Sequence, residues 1–386
     1  MKSLSPLLLR ELRRMASDPV YWFCMVLAPL FCYVFFTSMM ASGLPDDMPL
    51  GVVDNDRTTT SRQLVRNLDA FQQTRVATCY PSVSDARRAV QRGDIYGFYY
   101  IPEGTTRKAQ RQEVPTVSFY TNYSYLVAGS LLYRDMRMMS ELVSGAATRT
   151  VLYAKGATEK QAMAYLQPVV TDMHAINNPW LNYNVYLSNT LLPGMLMLFI
   201  FMVTVYGIGT EIKQGTGRNW YMTAGGSMLR TLAGKLLPQL AVFLLMGTLC
   251  MVHLYGVLKF PCHCGLPVMI GIMSLFILAA QGLGVLMIAA LPTLRMGLSF
   301  ASLWGVISFS ISGMSYPVMA MHPALQGLAW LFPLRHYFLL YVNCALDGYE
   351  VMNAWPYVAA LAGFALLPLC LLGRLKNALL NYKYLP

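Results

Sequence analysis

Charge is what this sequence has least of: 12% of its 386 residues are Asp, Glu, Lys or Arg, against 56% hydrophobic residues and a mean hydropathy of +0.45. Soluble domains carry about 25% charged residues. Half that share excludes an ordinary soluble protein and points to one built for a bilayer. A phosphate-binding loop is missing as well. No Gly-x-x-x-x-Gly-Lys-Ser/Thr stretch occurs, and the one Gly-Lys pair, Gly234-Lys235, is followed by Leu. Such a loop lets backbone amides cradle nucleotide phosphates, so this chain does not hold ATP in that way. His174, His253, His263, His322 and His336 are scattered, with no acid or nucleophile at a motif spacing. The chain therefore reads as a non-enzyme. Among the eight cysteines, Cys262-His263-Cys264 is the one cluster, while Cys24, Cys32, Cys250 and Cys370 fall within apolar runs. Three neighbouring ligands with no second pair fall short of the about four a metal site needs. The cluster reads as a short outer loop, with a disulfide from one of its cysteines to Cys79 or Cys344 as one arrangement.

The net charge of +11 does not imply nucleic acid. Outside residues 43–183 only 14 of the 29 Lys and Arg remain, and twelve of them fall on one side of the membrane once the apolar runs are threaded through it. These are Lys2, Arg10, Arg13, Arg14, Lys213, Arg218, Arg230, Lys235, Arg295, Arg374, Lys376 and Lys383, leaving Lys259 and Arg335 on outer loops. Loops rich in Lys and Arg stay in the cytoplasm, so both termini are expected there.

What is present is a succession of apolar runs. Leu4, Leu7, Leu8, Leu12 and Met15 recur at helical spacing with Arg10, Arg13 and Arg14 on the other faces, which suits an interfacial helix lying on anionic lipid. Asp18-Pro19 breaks it, since a residue before proline avoids the helical region. Residues 20–41 carry no charge and are long enough to cross a bilayer, which takes about 20 residues. Four further spans are read at 186–210, 236–258, 266–290 and 351–373. From 296 to 334 there are 39 uncharged residues. One helix of that length would overshoot a core of about 30 Å roughly twofold. Residues 296–311 supply most of a span, and Gly313, Pro317, Pro323 and Pro333 interrupt the remainder. Half-helices dipping into the outer leaflet fit these short pieces. Six spans result.

Residues 43–183 differ, with 15 basic and 13 acidic residues. Strands are expected at 49–56, 74–80, 96–101 and 116–120, and helices at 60–69, 83–92 and 126–155, the second capped by Ser82 or Ser84 and the last weakened at Gly129 and Gly145. This is a small α+β domain inserted after the first span, hence extracytoplasmic. Tyr123, Tyr125, Tyr133, Tyr153, Tyr165, Trp180, Tyr183 and Tyr186 enrich it and its exit in aromatics, read as interfacial anchors, the lining of a substrate path or a docking face for a partner. The expected organisation is an interfacial helix and first span at 1–42, the domain at 43–183, and a five-span body at 184–386.

Between the second and third spans, residues 211–235 form a polar connector too short to fold alone. It carries Glu211, Lys213, Gly215, Thr216, Arg218 and Arg230. Its Glu-x-x-x-Gly-Thr core resembles the cytosolic coupling loop of ABC-2-type exporter permeases. So do Arg13-Arg14-x-x-x-Asp18-Pro19 before the first span, Ser312-Gly313-x-x-x-Pro317 with Pro323 and Phe332-Pro333 as a re-entrant segment, and the large insertion after the first span. The chain departs from the common Glu-Arg-x-x-Gly-Thr form at Ile212, and Gly217 stands where a longer side chain is usual.

The resemblance implies a permease subunit of the inner membrane that exports its substrate. It implies a separate ATPase that binds ATP and Mg2+, a second permease, identical or related, and a periplasmic adaptor where one exists. It implies coupling through Glu211, Lys213, Gly215, Thr216 and Arg218, with Glu211 paired locally to Lys213 or Arg218, and gating around Gly313, Pro317, Pro323 and Pro333. With 26 Met, 24 Tyr and 17 Phe, an adaptable cavity for a lipophilic drug or lipid is expected. The alternative is a membrane-anchored sensor or scaffold whose outer domain binds a ligand, although no inner segment is long enough for an output domain.

Overall fold

A computed structural model describes residues 4–111 and 113–381, so Lys2 and Lys383 lie outside it. The chain divides into two compact units, one of residues 42–174 and one made of the segments on either side.

Helix α1 (Ser5–Ser17) ends at Asp18, whose extended backbone turns the chain and whose carboxylate accepts from the Val20 amide. Pro19 then opens α2 (Pro19–Met39), where its missing N–H costs nothing. α1 buries Leu7, Glu11 and Met15 on one stripe, while Leu9 and Leu12 remain half exposed on another. The helix thus has two apolar faces, and the buried one carries a carboxylate.

The inserted unit contains β1 (Met48–Asp54), α3 (Thr59–Asp69), β2 (Thr74–Cys79), α4 (Val83–Arg92), β3 (Gly97–Ile101), α5 (Thr105–Gln110), β4 (Ser118–Thr121), α6 (Leu126–Ala154) and α7 (Glu159–Leu166). The sheet order is β2-β1-β3-β4, with β1 parallel to both neighbours and β4 antiparallel to β3. Parallel neighbours need crossover connections, and α3 and α4 supply them. Alternation along the strands sends Leu50, Val52, Tyr99 and Ile101 into a core with Leu68 and Met136 of α3 and α6. Val53 and Phe98 face the other way, onto Ala86 and Ala89 of α4. Ser82, rather than Ser84, caps α4 by accepting from the Asp85 amide. α6 runs through Gly129 and Gly145 without a break. The short α5 and α7 are additions to the elements expected from the sequence. Tyr123 and Tyr133 gather with Phe119, and Tyr125 with Tyr96.

The other unit continues with α8 (Tyr183–Lys213), α9 (Gly217–Thr223), α10 (Met228–Val257), α11 (Leu266–Ala290) and α12 (Leu294–Ile311). It closes with α13 (Pro323–Ala329), α14 (Pro333–Leu340), α15 (Val351–Cys370) and α16 (Leu372–Asn381). Six of these helices, α2, α8, α10, α11, α12 and α15, are long and apolar enough to cross a membrane. α8 and α11 are the most enclosed, and the rest pack around them. Hydrogen bonds tie the bundle where α8 begins. Asn184 Nδ2 donates to the Thr37 carbonyl at 3.1 Å, and Tyr255 donates to Asn189 Oδ1 at 2.8 Å.

α12 has 18 residues and stops where Gly313 takes a positive φ of 99°. The helical path is broken before Pro323 and again before Pro333, and these prolines open α13 and α14 as first-turn residues. α14 continues through a wide π turn at Tyr341–Leu346. Arg335, read from the sequence as part of an outer loop, lies on α14. Its neighbours Leu334, His336 and Tyr337 are wholly buried, which places the arginine on a packed helix.

Candidate functional site

α8 ends in Thr210-Glu211-Ile212-Lys213, after which Gly215, at φ 69°, reverses the chain into α9. Thr216 closes the turn. Its amide donates to the Glu211 carbonyl at 3.0 Å and its hydroxyl donates to Glu211 Oε2. Glu211 is fully buried and collects cations from distant segments. Arg10 Nη2 donates to both carboxylate oxygens at 2.8 and 2.9 Å, and Arg14 Nη1 donates to Oε1 at 2.7 Å. The expected local pairing is therefore corrected. Lys213 and Arg218 are exposed and make no ion pair among the described residues. The partners come from α1, far upstream in sequence, because α1 packs against α10 beside the end of α8.

Lys235 of α10 joins the two acids. Its ammonium lies 2.8 Å from Glu11 Oε2 and 3.2 Å from Glu211 Oε1, and 1% of the side chain is exposed. Gln239 Nε2 donates to Glu11 Oε1 at 3.0 Å, and the Lys235 ammonium sits 5.0 Å from the Trp220 ring centroid of α9. Three cations thus face two carboxylates; Lys235 and both acids are out of water, while Arg10 and Arg14 reach in from the partly exposed face of α1. Each buried charge carries a desolvation cost of several kcal/mol, offset only where pairing and hydrogen bonding are near complete. This cluster meets that condition for its carboxylates, so α1, α8, α9 and α10 are tied at one point. Gly234 lets it form: a Cβ there would lie 2.6 Å from Leu7 Cβ of α1.

α16 completes the assembly. Leu375 and Leu379 are buried, and Lys376 stands 5.4 Å over the Tyr221 ring of α9. A Cβ on Gly217 would meet Leu379 at 2.9 Å. The departure at Gly217 is thereby explained, since the C-terminal helix fills the space a longer side chain would take. The outward side of the connector shows Lys213, Gly215, Arg218, Asn219, Met222 and Arg230.

The structure therefore brings Glu211 and Thr216 together and leaves Lys213, Gly215 and Arg218 on the surface. Gly313, Pro317, Pro323 and Pro333 belong to a separate constellation beside the start of α8, where Tyr186 donates to the Met314 carbonyl and Trp304 stacks on Phe332 at 4.6 Å. Sequence reasoning does not single out Glu11, Lys235, Gln239 or Trp220 as a cluster. A signal for Glu11 exists: it is the only acid in residues 1–17 and lies four positions from both Leu7 and Met15.

All eight cysteines are free. Cys264 lies 3.8 Å from Cys262, and its thiol is pushed up to about 12 by burial and by that neighbour. Among the described residues no group of three His, Cys, Asp or Glu is placed to hold a metal ion.

Comparison with known proteins places this arrangement in context. The model of a family described as ABC-2 family transporter protein matches residues 19–374. The linearmycin resistance permease protein LnrN of Bacillus subtilis (strain 168) is 23% identical over 343 residues, covering 84% of this chain and 86% of the relative.

Proposed function

The chain belongs to the ABC-2 family of transporter proteins, and from that premise we propose that it is the permease of an ATP-driven exporter worked by a separate ATPase through α9. The observation that carries the reading is the buried Glu211 cluster. A motor that pushes on α9 moves the ends of α8 and α10 together with α1, because Glu11, Glu211, Lys235, Arg10 and Arg14 tie them. The outward side of the connector, with Arg218, Met222 and Arg230, offers that motor a cationic surface with an apolar centre. ATP and Mg2+ bind on the partner chain. Both termini lie in the cytoplasm and residues 42–174 lie outside, as the distribution of Lys and Arg supports. Six spans make half of a pathway that a second permease completes, and the substrate is lipophilic. The relative named as a resistance permease supports export.

The test is reconstitution of the chain with its ATPase in vesicles. Arg218→Glu combined with Met222→Glu lowers transport at least tenfold and weakens co-purification of the ATPase. Gly215→Leu, which places a side chain where φ is 69°, leaves the complex assembled but separates hydrolysis from transport. Undiminished transport in both variants, or transport by the purified chain without an ATPase, overturns the reading.

A further inference from the structure

Arg335 is the only Asp, Glu, Lys or Arg between residues 296 and 346. It has no counter-ion among the described residues, and its Nε is buried without a hydrogen-bond partner. The position where Gly313 would carry a Cβ lies 3.6 Å from Arg335 Nη1, 3.3 Å from Val318 Cγ2 and 3.7 Å from Phe338 Cε1. The arginine is thus half-buried, its Nε enclosed and unpartnered, on a helix whose adjacent residues are fully buried. In the Glu211 cluster, by contrast, every buried charge has a partner. An ionisable group held this way in a membrane-embedded segment marks a binding site more often than a structural accident, because a neutral side chain would avoid the desolvation cost.

Among the described residues no anion answers it. α14 begins at Pro333, and its N-cap Phe332 makes no side-chain cap, so the positive end of the helix adds to the arginine's field. The segment leading to it exposes Met319, Leu325, Trp330 and Leu331, an apolar and aromatic surface suited to acyl chains rather than to water. A guanidinium pairs with phosphate or carboxylate through two parallel N–H···O bonds. We propose that Arg335 anchors a site for the anionic headgroup of an amphiphile, a phosphate or carboxylate presented from the lipid phase. The proposal rests on the permease reading only in placing α13 and α14 in the membrane, and it names the substrate class as anionic amphiphiles.

The experiment follows thermal unfolding of the purified full-length chain in a neutral detergent, with added phosphatidylglycerol, phosphatidylcholine or free glycerol phosphate. Phosphatidylglycerol raises the midpoint by several degrees beyond phosphatidylcholine, and glycerol phosphate has no effect. Arg335→Gln and Arg335→Met abolish the difference between the lipids. The Met variant, freed of an unpaired charge, is at least as stable as the parent in phosphatidylcholine, so loss of the difference cannot be misfolding. No lipid difference in the parent, or a difference surviving in both variants, overturns the proposal. An equal response to glycerol phosphate also overturns it, by assigning the arginine to a soluble anion. A carboxylate-bearing amphiphile that competes with phosphatidylglycerol points to cargo, and a lack of competition points to a structural lipid; either supports the anionic site. Because this readout needs no ATPase, a failure of coupling leaves it standing, and its own failure leaves coupling untouched.

Discussion

The two ends of α8 treat charge in opposite ways. At the Glu211 end, two buried carboxylates of α1 and α8 are paired by buried Lys235 of α10 and by Arg10 and Arg14 at the edge of the cluster. At the Tyr186 end, α8 meets the 312–334 segment, and the one nearby cation on α14, Arg335, is left without a partner among the described residues. The difference teaches what each end is for. A closed set of charges holds helices in register and moves with them. An open charge awaits something the chain does not contain.

The strongest way to break this comparison is to open the closed set. Lys235→Met strands Glu11 in a buried site with only the neutral Gln239 and Tyr21 beside it, while Glu211 keeps Arg10 and Arg14, and removing one partner of such a pair costs about 3–5 kcal/mol. Lys235→Met with Glu11→Leu removes both sides of one pair and recovers most of that loss. Unfolding in detergent measures both, and a double variant no more stable than the single one would deny that the cluster acts as a unit. A smaller effect sharpens the picture from the α16 side. Gly217→Val drives a side chain against Leu379, an overpacking that costs about 1–3 kcal/mol. Leu379→Ala in the same chain removes only the Cδ2 contact and leaves the Leu379 carbonyl oxygen at 2.9 Å, so the double variant stays less stable than the parent in detergent unfolding.

Much of this architecture is legible in the sequence, and the gaps have physical reasons. Spans are visible because about 20 uncharged residues in a row are rare outside membranes. The inserted strands are visible because β1 and β3 alternate between two cores. The partners of Glu211 are not, since Arg10 and Arg14 lie far off in sequence and nothing local announces them. Glu11 is hidden by a majority of leucines: α1 reads as a helix with one apolar face, when Leu7 and Met15 serve the bundle and Leu9 and Leu12 do not. α16 reads as a basic tail, although Leu375, Ala378 and Leu379 form a helical stripe that buries on α9 and its neighbours. Arg335 reads as a loop residue because a lone charge between apolar runs usually is one.

The smallest expected effect lies in the inserted unit, whose charges resemble neither end of α8. Asp56 is partly buried, which raises its proton affinity, but hydrogen bonds from the Thr106 and Thr58 hydroxyls and the Thr106 amide outweigh this and hold the carboxyl below the usual range. A carboxyl with a depressed folded value contributes stability that is complete above its unfolded pKa of about 3.9 and fades as pH falls through the folded value. Asp56→Asn removes that acid-sensitive contribution, so unfolding of the unit depends less on pH below about 4. At neutral pH the variant loses about 1 kcal/mol, comparable to deleting a helix cap, because Asp56 accepts from the first turn of α5. An unchanged acid limb in Asp56→Asn would overturn the assignment of that acid sensitivity to Asp56.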